Sequence, residues 1–165
     1  MVHVSQFLSS AWLAELGAAA AADERLREAS RGVTLTIHHH VTGSPIGDVD
    51  YRVEFADGGV AVLDGPGDAE VVVSESYATA AAINRGDMAP AEAFAAGRVR
   101  LGGRPGLLSR HRDTLSVLGD VFGELRGRTT YAESGRAAQA GDGVQATQAG
   151  DGVQATQAGD GVQAT

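Results

Sequence analysis

The chain has 165 residues, of which 43% are hydrophobic and 21% charged, the size and balance of one globular domain with a buried core. It contains no cysteine, which excludes disulfides, thiolate metal sites and cysteine nucleophiles and makes a reducing cytoplasm the expected location. The net charge of −8 argues against nucleic acid and anionic membranes as partners, because both are bound through clustered Lys and Arg.

The N-terminal segment predicts neither export nor membrane insertion. It lacks a basic opening, and Glu15 interrupts its apolar run, so a cleaved signal peptide is not expected. No stretch approaches the roughly 18 uninterrupted apolar residues of a membrane-spanning helix. We therefore expect a soluble protein that does not span a membrane, and transient contact with a membrane surface is compatible with this expectation.

Residues 5 to 30 predict a helix, since their apolar residues recur at helical spacing from Phe7 to the alanines at 18 to 22. Ser5 is its expected N-cap, and Gly32 follows its end.

Four strands are predicted next, each with apolar residues at alternate positions. They are residues 33–41, 48–55, 59–64 and 69–74. The Asp57-Gly58 turn joins the second and third strands as a hairpin. In the first strand His39 falls on the inward side, whereas His38 and His40 face outward.

Two short helices surround the triplet Arg85-Gly86-Asp87, which elsewhere would suggest an adhesion ligand. The first helix is predicted from about residue 76 to 85, with Gly86 in the left-handed conformation that ends helices. Pro90 begins the second helix, residues 90 to 96. The triplet is therefore predicted to be a turn between helices.

The remaining folded elements are a short strand at residues 98–103 and a long amphipathic helix at residues 105–126. Gly119 and Gly123 lie inside that helix, where each costs roughly 1 kcal/mol relative to alanine. Close packing, room for a ligand, or a helix loose enough to move would each account for them. Residues 132–165 form a low-complexity tail with three copies of QAGDGVQAT, predicted to be disordered, so the expected domain is residues 1–131.

This order of elements predicts an α+β domain. Clean alternation in the strands favours one mainly antiparallel sheet of five strands, with helices covering one face and water at the other.

His38 and His40 are the strongest indication of chemistry, because two histidines on one face of a strand can supply two metal ligands. A third ligand would have to be Asp50 or Glu54, and both can instead pair with histidine or arginine across the strands. We expect the pairing, with no metal or cofactor, and keep a metal-dependent enzyme as the alternative. His39 is expected to be a hydrogen-bonded core residue.

His111, between Leu108 and Leu115 on the last helix, is expected to contact the core. No catalytic constellation or phosphate-binding loop is recognisable in the chain. The sequence therefore predicts a protein without catalytic machinery of its own.

Four features together resemble the sterol carrier protein 2 (SCP-2) family, particularly its stand-alone bacterial members. They are FLSSAWLAEL at residues 7–16, the hairpin-rich sheet, the run AEVVVSESYATAAAINRGDMAPAEAFAAGRVRLGG at residues 69–103, and the long amphipathic last helix. The similarity extends over about residues 5 to 128, and its most specific part is the proline before Glu-Ala-Phe, followed by a glycine and a basic strand. One departure is Ala89, which cannot cap the helix that Pro90 begins, a loss of about 1 kcal/mol.

The resemblance implies a five-stranded sheet, helices over one face and an apolar cavity between them for a lipid. It implies binding, with or without transfer, of fatty acids, acyl-CoA esters, sterols or terpenoids, and no covalent catalysis. The alternative function is an accessory role, in which the protein presents a lipid to a lipid-pathway enzyme partner or forms a homodimer. Seven residues are assigned to the lipid site on this basis: Met88, Phe94, Leu101, Leu108, Leu115, Leu118 and Phe122.

Overall fold

The computed structural model describes residues 3–132, so the predicted tail lies outside the described residues except for Ala132. The strands in chain order are β1 Ser5–Gln6, β2 Thr34–Ser44, β3 Gly47–Ala56, β4 Gly59–Asp64, β5 Val71–Ser76, β6 Val99–Gly103 and β7 Thr129–Thr130. The helices are α1 Ser10–Ala22, α2 Glu24–Ala29, α3 Tyr77–Arg85, α4 Pro90–Ala95, α5 Gly106–Arg110 and α6 Arg112–Leu125, and a 3-10 turn covers Arg126–Arg128.

The main sheet has five strands in the order β4-β3-β2-β5-β6. Three of its four pairings are antiparallel, and only β2 with β5 is parallel. The predicted α+β class with a mainly antiparallel sheet is confirmed. A separate parallel pair joins β1 to β7 and so brings the two ends of the described chain together.

The sheet has an apolar inner face, as the alternation predicted. Leu35 lies opposite Phe55, and Ile37 lies between Val53 and Val71; all five side chains are buried. At the predicted hairpin turn Asp57 and Gly58 both have positive φ, the conformation of a tight turn between antiparallel strands.

The helix predicted over residues 5 to 30 is wrong in two respects. It begins at Ser10, and Ser9 is its cap, because the Ser9 hydroxyl accepts a hydrogen bond from the Trp12 N–H. Ser5, the predicted cap, is instead a buried strand residue. It also breaks at Asp23, whose carboxylate accepts the N–H of Leu26 and starts a second helix.

The last predicted helix is also divided, because the backbone at His111 leaves the helical conformation between α5 and α6. His111 is half-buried at this junction. The longer helix α6 packs against α1, α2 and α3. The hydroxyl of Thr114, near its start, donates a hydrogen bond to the carbonyl of Ala29.

The Arg85-Gly86-Asp87 triplet is the predicted turn. Gly86 has φ of 84° and ends α3, and Pro90 occupies the first turn of α4. Asp87 pairs with Arg85 at 3.0 Å, and Ala89 makes no side-chain cap to α4. No helix among residues 3–132 is long and apolar enough to cross a membrane.

Gly119 in α6 has open space where a Cβ would project, so close packing does not explain it. Gly119→Ala is therefore expected to raise the free energy of unfolding by about 0.5–1 kcal/mol, because alanine loses less backbone entropy in a helix. The matched control is Gly86→Ala, which should destabilise the protein because φ there is 84°. Urea unfolding measures both, and a destabilised Gly119→Ala would mean that this position needs glycine for another reason.

Candidate functional site

On the neighbouring strands β2 and β5, the inner face of the main sheet carries two polar ionisable side chains among apolar ones. On β2, His39 lies between the buried Ile37 and Val41 in the alternating pattern. On β5, Glu75 continues the inward series of Val71 and Val73. Because His39 pairs with Val73 and Val41 pairs with Glu75, the two polar residues are diagonal neighbours on adjacent strands.

The His39 ring lies flat against the ring of Tyr51, its partner on β3, with centroids 4.6 Å apart and planes inclined by 4°. Its Nδ1 atom is buried and has no hydrogen-bond partner. Burial, with a smaller contribution from the charge of His38, lowers the pKa of His39 to about 4. The ring is therefore neutral at physiological pH. The expectation of a hydrogen-bonded core histidine is wrong for Nδ1, which has no hydrogen-bond partner.

Glu75 also has a buried side-chain atom without a hydrogen-bond partner. Its Oε2 atom is buried without a hydrogen-bond partner, and burial raises the pKa of Glu75 to about 7. The phenol of Tyr51 is affected too: burial, and secondarily the charge of Glu75, raise the pKa of Tyr51. Tyr51, His39 and Glu75 thus form one polar cluster on the inner face.

Unpaired buried polar atoms are uncommon in proteins and cost roughly 1–3 kcal/mol each. Among the described residues, only His39 Nδ1 and Glu75 Oε2 are side-chain atoms in this condition. This cost makes the cluster a candidate functional site, because unpaired polar groups on an apolar face do not stabilise the fold.

Glu75 is a candidate site residue that the sequence pattern did not reveal. The fourth strand was predicted to end at residue 74, with Glu75 in the connection to the next helix, whereas β5 continues to Ser76. Extending the alternation of Val71 and Val73 by one step would have placed a carboxyl on the inner face.

The seven residues assigned to a lipid site do not all come together. Four of them belong to the main core cluster or pack against it: Leu108, Leu115, Leu118 and Phe122. Within this group Leu118 is buried, and Phe122 packs against Trp12 with ring centroids 5.9 Å apart.

The other three lie apart from that cluster. Leu101 is half-buried on the inner face of β6, opposite Val73. Met88 is half-buried in the link between α3 and α4, and Phe94 on α4 is 54% exposed. Their role in a lipid site stays a prediction.

Two surface depressions are present in the described residues. One, of about 510 Å³, is lined by Thr36, Asp68, Ala69, Glu70, Gly103 and Arg104. The other, of about 260 Å³, is lined by Leu8, Ser10, Leu13, Ile46, Asp48, Val49, Asp50, Asp64, Gly65 and Pro66. Both are open to solvent, and neither includes the polar cluster or the seven residues. The apolar cavity between sheet and helices stays a prediction.

On the outer face, His38 and His40 do converge. His38 Nε2 and His40 Nδ1 each lie 2.8 Å from the same oxygen of Asp50, which is the cross-strand pairing expected from the sequence. Burial alone would raise the pKa of Asp50, but hydrogen bonds with His40 and His38 outweigh it and hold the pKa below its usual value. Glu54 pairs with Arg52 instead. Among residues 3–132 no group of three or more His, Cys, Asp or Glu side chains is arranged to hold a metal ion.

Comparison with solved structures identifies the architecture. The crystal structure of sterol carrier protein 2 superposes with a TM-score of 0.62 at 19% identity, covering 72% of this chain and 98% of that one. The chain has the sterol carrier protein 2 fold. The SCP-2 fold that the resemblance over about residues 5 to 128 implied is therefore confirmed.

Two further structures with the SCP-2 fold also superpose on this chain. A conserved hypothetical protein of Thermus thermophilus, whose name proposes a sterol carrier protein, has a TM-score of 0.62 at 18% identity and covers 82% of this chain and 100% of its own. Sterol carrier protein 2 of Yarrowia lipolytica, in its apo form, has a TM-score of 0.52 at 12% identity. The match covers 77% of this chain and 97% of that one. No family model and no curated protein matches the chain by sequence.

Proposed function

We propose that this protein binds a hydrophobic lipid between the inner face of its sheet and the helices, and that it carries or transfers the lipid without covalent catalysis. The observation that carries the proposal is the SCP-2 fold, which is shared over nearly the whole length of sterol carrier protein 2. The ligand classes are fatty acids, fatty acyl-CoA esters, sterols and terpenoids.

Side chains at the margin of the core support this proposal. Val73 on β5, Leu108 on α5 and Leu115 on α6 pack against the core cluster while remaining only partly buried. Partly buried apolar side chains leave apolar surface for a ligand to cover. Burying ten methylenes of an acyl chain contributes roughly 8 kcal/mol before the cost of association, which is consistent with micromolar binding.

The direct test is lipid binding by the purified full chain. Native mass spectrometry and solvent extraction should find a co-purifying lipid, and the delipidated protein should bind fluorescent fatty acyl and sterol probes with micromolar Kd. Persistent absence of both bound and bindable lipid would overturn the proposal. A delipidated protein that binds no probe but forms a stable dimer or retains an enzyme partner would instead favour the accessory role.

The two edge strands of the sheet offer a matched pair of variants. Leu101 on β6 and Leu63 on β4 are both half-buried leucines, but Leu101 lies on the inner face opposite Val73, whereas Leu63 lies on the outer face opposite Arg52. Leu101→Gln is expected to weaken probe binding about fivefold or more, since apolar contact worth roughly 1 kcal/mol is lost. Leu63→Gln should leave the Kd unchanged. Equal effects of the two variants would place the lipid elsewhere.

A further inference from the structure

The polar cluster of Tyr51, His39 and Glu75 is fixed in position by the sheet itself. His39 and Glu75 project from the central β2 and its neighbour β5, whose backbones are paired from Ile37 to Thr42. The Tyr51 ring covers one side of the His39 ring at 4.6 Å. The imidazole and the carboxyl are therefore held on rigid elements, as a binding group must be to select a ligand.

Both groups have unused hydrogen-bonding capacity on the same apolar face. His39 Nδ1 and Glu75 Oε2 are buried and have no partner among the described residues. The ionisable groups nearest in sequence to His39, which are His38 and His40, point to the opposite face and contact Asp50 there. The sheet thus separates the inner cluster from the ion pairs of its outer face.

The chemistry of these groups indicates which ligand they would accept. A neutral imidazole has one donor and one acceptor nitrogen, and a carboxyl group accepts in either state and donates when protonated. A hydroxyl both donates and accepts, so it can satisfy the two groups together. A carboxylate or an ammonium group would have to lose its hydration to reach this apolar face, at a cost that a neutral hydroxyl does not bear.

We propose that His39 and Glu75 form a hydrogen-bonding anchor for the hydroxyl of a lipid alcohol, whose hydrocarbon part lies along the apolar inner face. This inference rests on the proposed lipid binding and names its ligand class. The buried Nδ1 and Oε2 atoms then gain the partners that they lack, which an ether or a hydrocarbon of equal length cannot supply as fully.

The experiment compares ligands of one chain length on the delipidated full chain by displacement of a fluorescent probe. The set is 1-hexadecanol, its methyl ether, palmitate and hexadecylamine. The wild-type protein is expected to bind the alcohol about tenfold more tightly than the methyl ether. Tighter binding of palmitate or of the amine than of the alcohol, or equal binding of alcohol and ether, would overturn the anchor.

Substitutions at the two anchor residues test whether they cause the preference for the alcohol over the methyl ether. Glu75→Leu and His39→Leu should abolish the preference for the alcohol while retaining or improving binding of the methyl ether, which also shows that these variants are folded. The controls His40→Leu and Glu54→Leu, on the outer face of the sheet, should keep the preference. An alcohol preference that survives in both inner-face variants contradicts the anchor. If the wild-type protein binds no ligand of the set, lipid binding itself has failed, which is a different result from equal binding of all four.

Discussion

Replacing Trp12 with alanine is expected to lower the free energy of unfolding by about 3–5 kcal/mol, the largest effect of a single substitution that we predict. Trp12 is 1% exposed and joins three parts of the fold. Its ring meets Phe7 edge-on with centroids 4.9 Å apart, and it packs against Phe122 of α6. Its Nε1–H donates to the hydroxyl of Thr129 at 3.1 Å. Alanine would leave a large cavity where α1, α6 and the β1–β7 pair meet.

Urea unfolding followed by circular dichroism measures this loss, because Trp12 is the only tryptophan and its fluorescence disappears with the substitution. Trp12→Phe should cost less, since it keeps an aromatic ring and loses mainly the hydrogen bond and some volume. The exposed Ala14 on the same helix provides the control, with Ala14→Ser within about 0.5 kcal/mol of the wild type. A loss below about 1 kcal/mol for Trp12→Ala would show that the packing of α1 on α6 contributes little.

Replacing Glu75 with glutamine is expected to stabilise the protein at pH 8 by up to about 3 kcal/mol. Burial raises the pKa of Glu75 from 4.5 to about 7 in the folded protein. Between these values the unfolded chain has lost the proton while the folded protein retains it, so stability falls as pH rises. Above pH 7 the folded protein bears the full cost of a buried carboxylate, which glutamine avoids.

His39 changes the pH dependence of the free energy of unfolding in the opposite direction to Glu75. Burial lowers its pKa from 6.5 to about 4, so between these values the unfolded chain binds the proton and stability rises with pH. In the wild-type protein the two slopes oppose each other between about pH 4.5 and 6.5. Glu75→Gln removes the falling slope, and the variant should therefore become steadily more stable up to about pH 6.5.

Urea unfolding at intervals from pH 4.5 to 8.5 gives the difference between the two profiles, in which contributions common to both proteins cancel. Glu54→Gln, at a carboxyl on the outer face that pairs with Arg52, is the matched control and should lack the gain in stability at pH 8. Parallel profiles for Glu75→Gln and the wild type would mean that Glu75 is not buried in solution.

Local patterns predicted much of this fold because the signals that govern them are local. Alternating residues in the strands, the Asp57-Gly58 turn and the Gly86 cap each depend on residues close in sequence. The break of the first helix at Asp23 was missed although its signal was local too, since the Asp23 carboxylate caps α2 through the N–H of Leu26.

Long-range pairing could not be predicted in the same way. Ser5 was expected to cap a helix, but it pairs with Thr129, near the opposite end of the described residues. No property of either residue identifies its partner. The parallel pairing of β2 with β5, which places Glu75 diagonally from His39, could not be predicted from the local sequence either.

The sequence by itself determined the class of the domain, the faces of its strands, the turn at Arg85-Gly86-Asp87 and the resemblance to the SCP-2 family, because periodicity and turn chemistry are properties of short segments. Only the tertiary structure decided that His39 and Glu75 share one buried face without partners. Burial and the shift in pKa that it causes depend on which strands become neighbours, and that is settled by the packing of the whole chain.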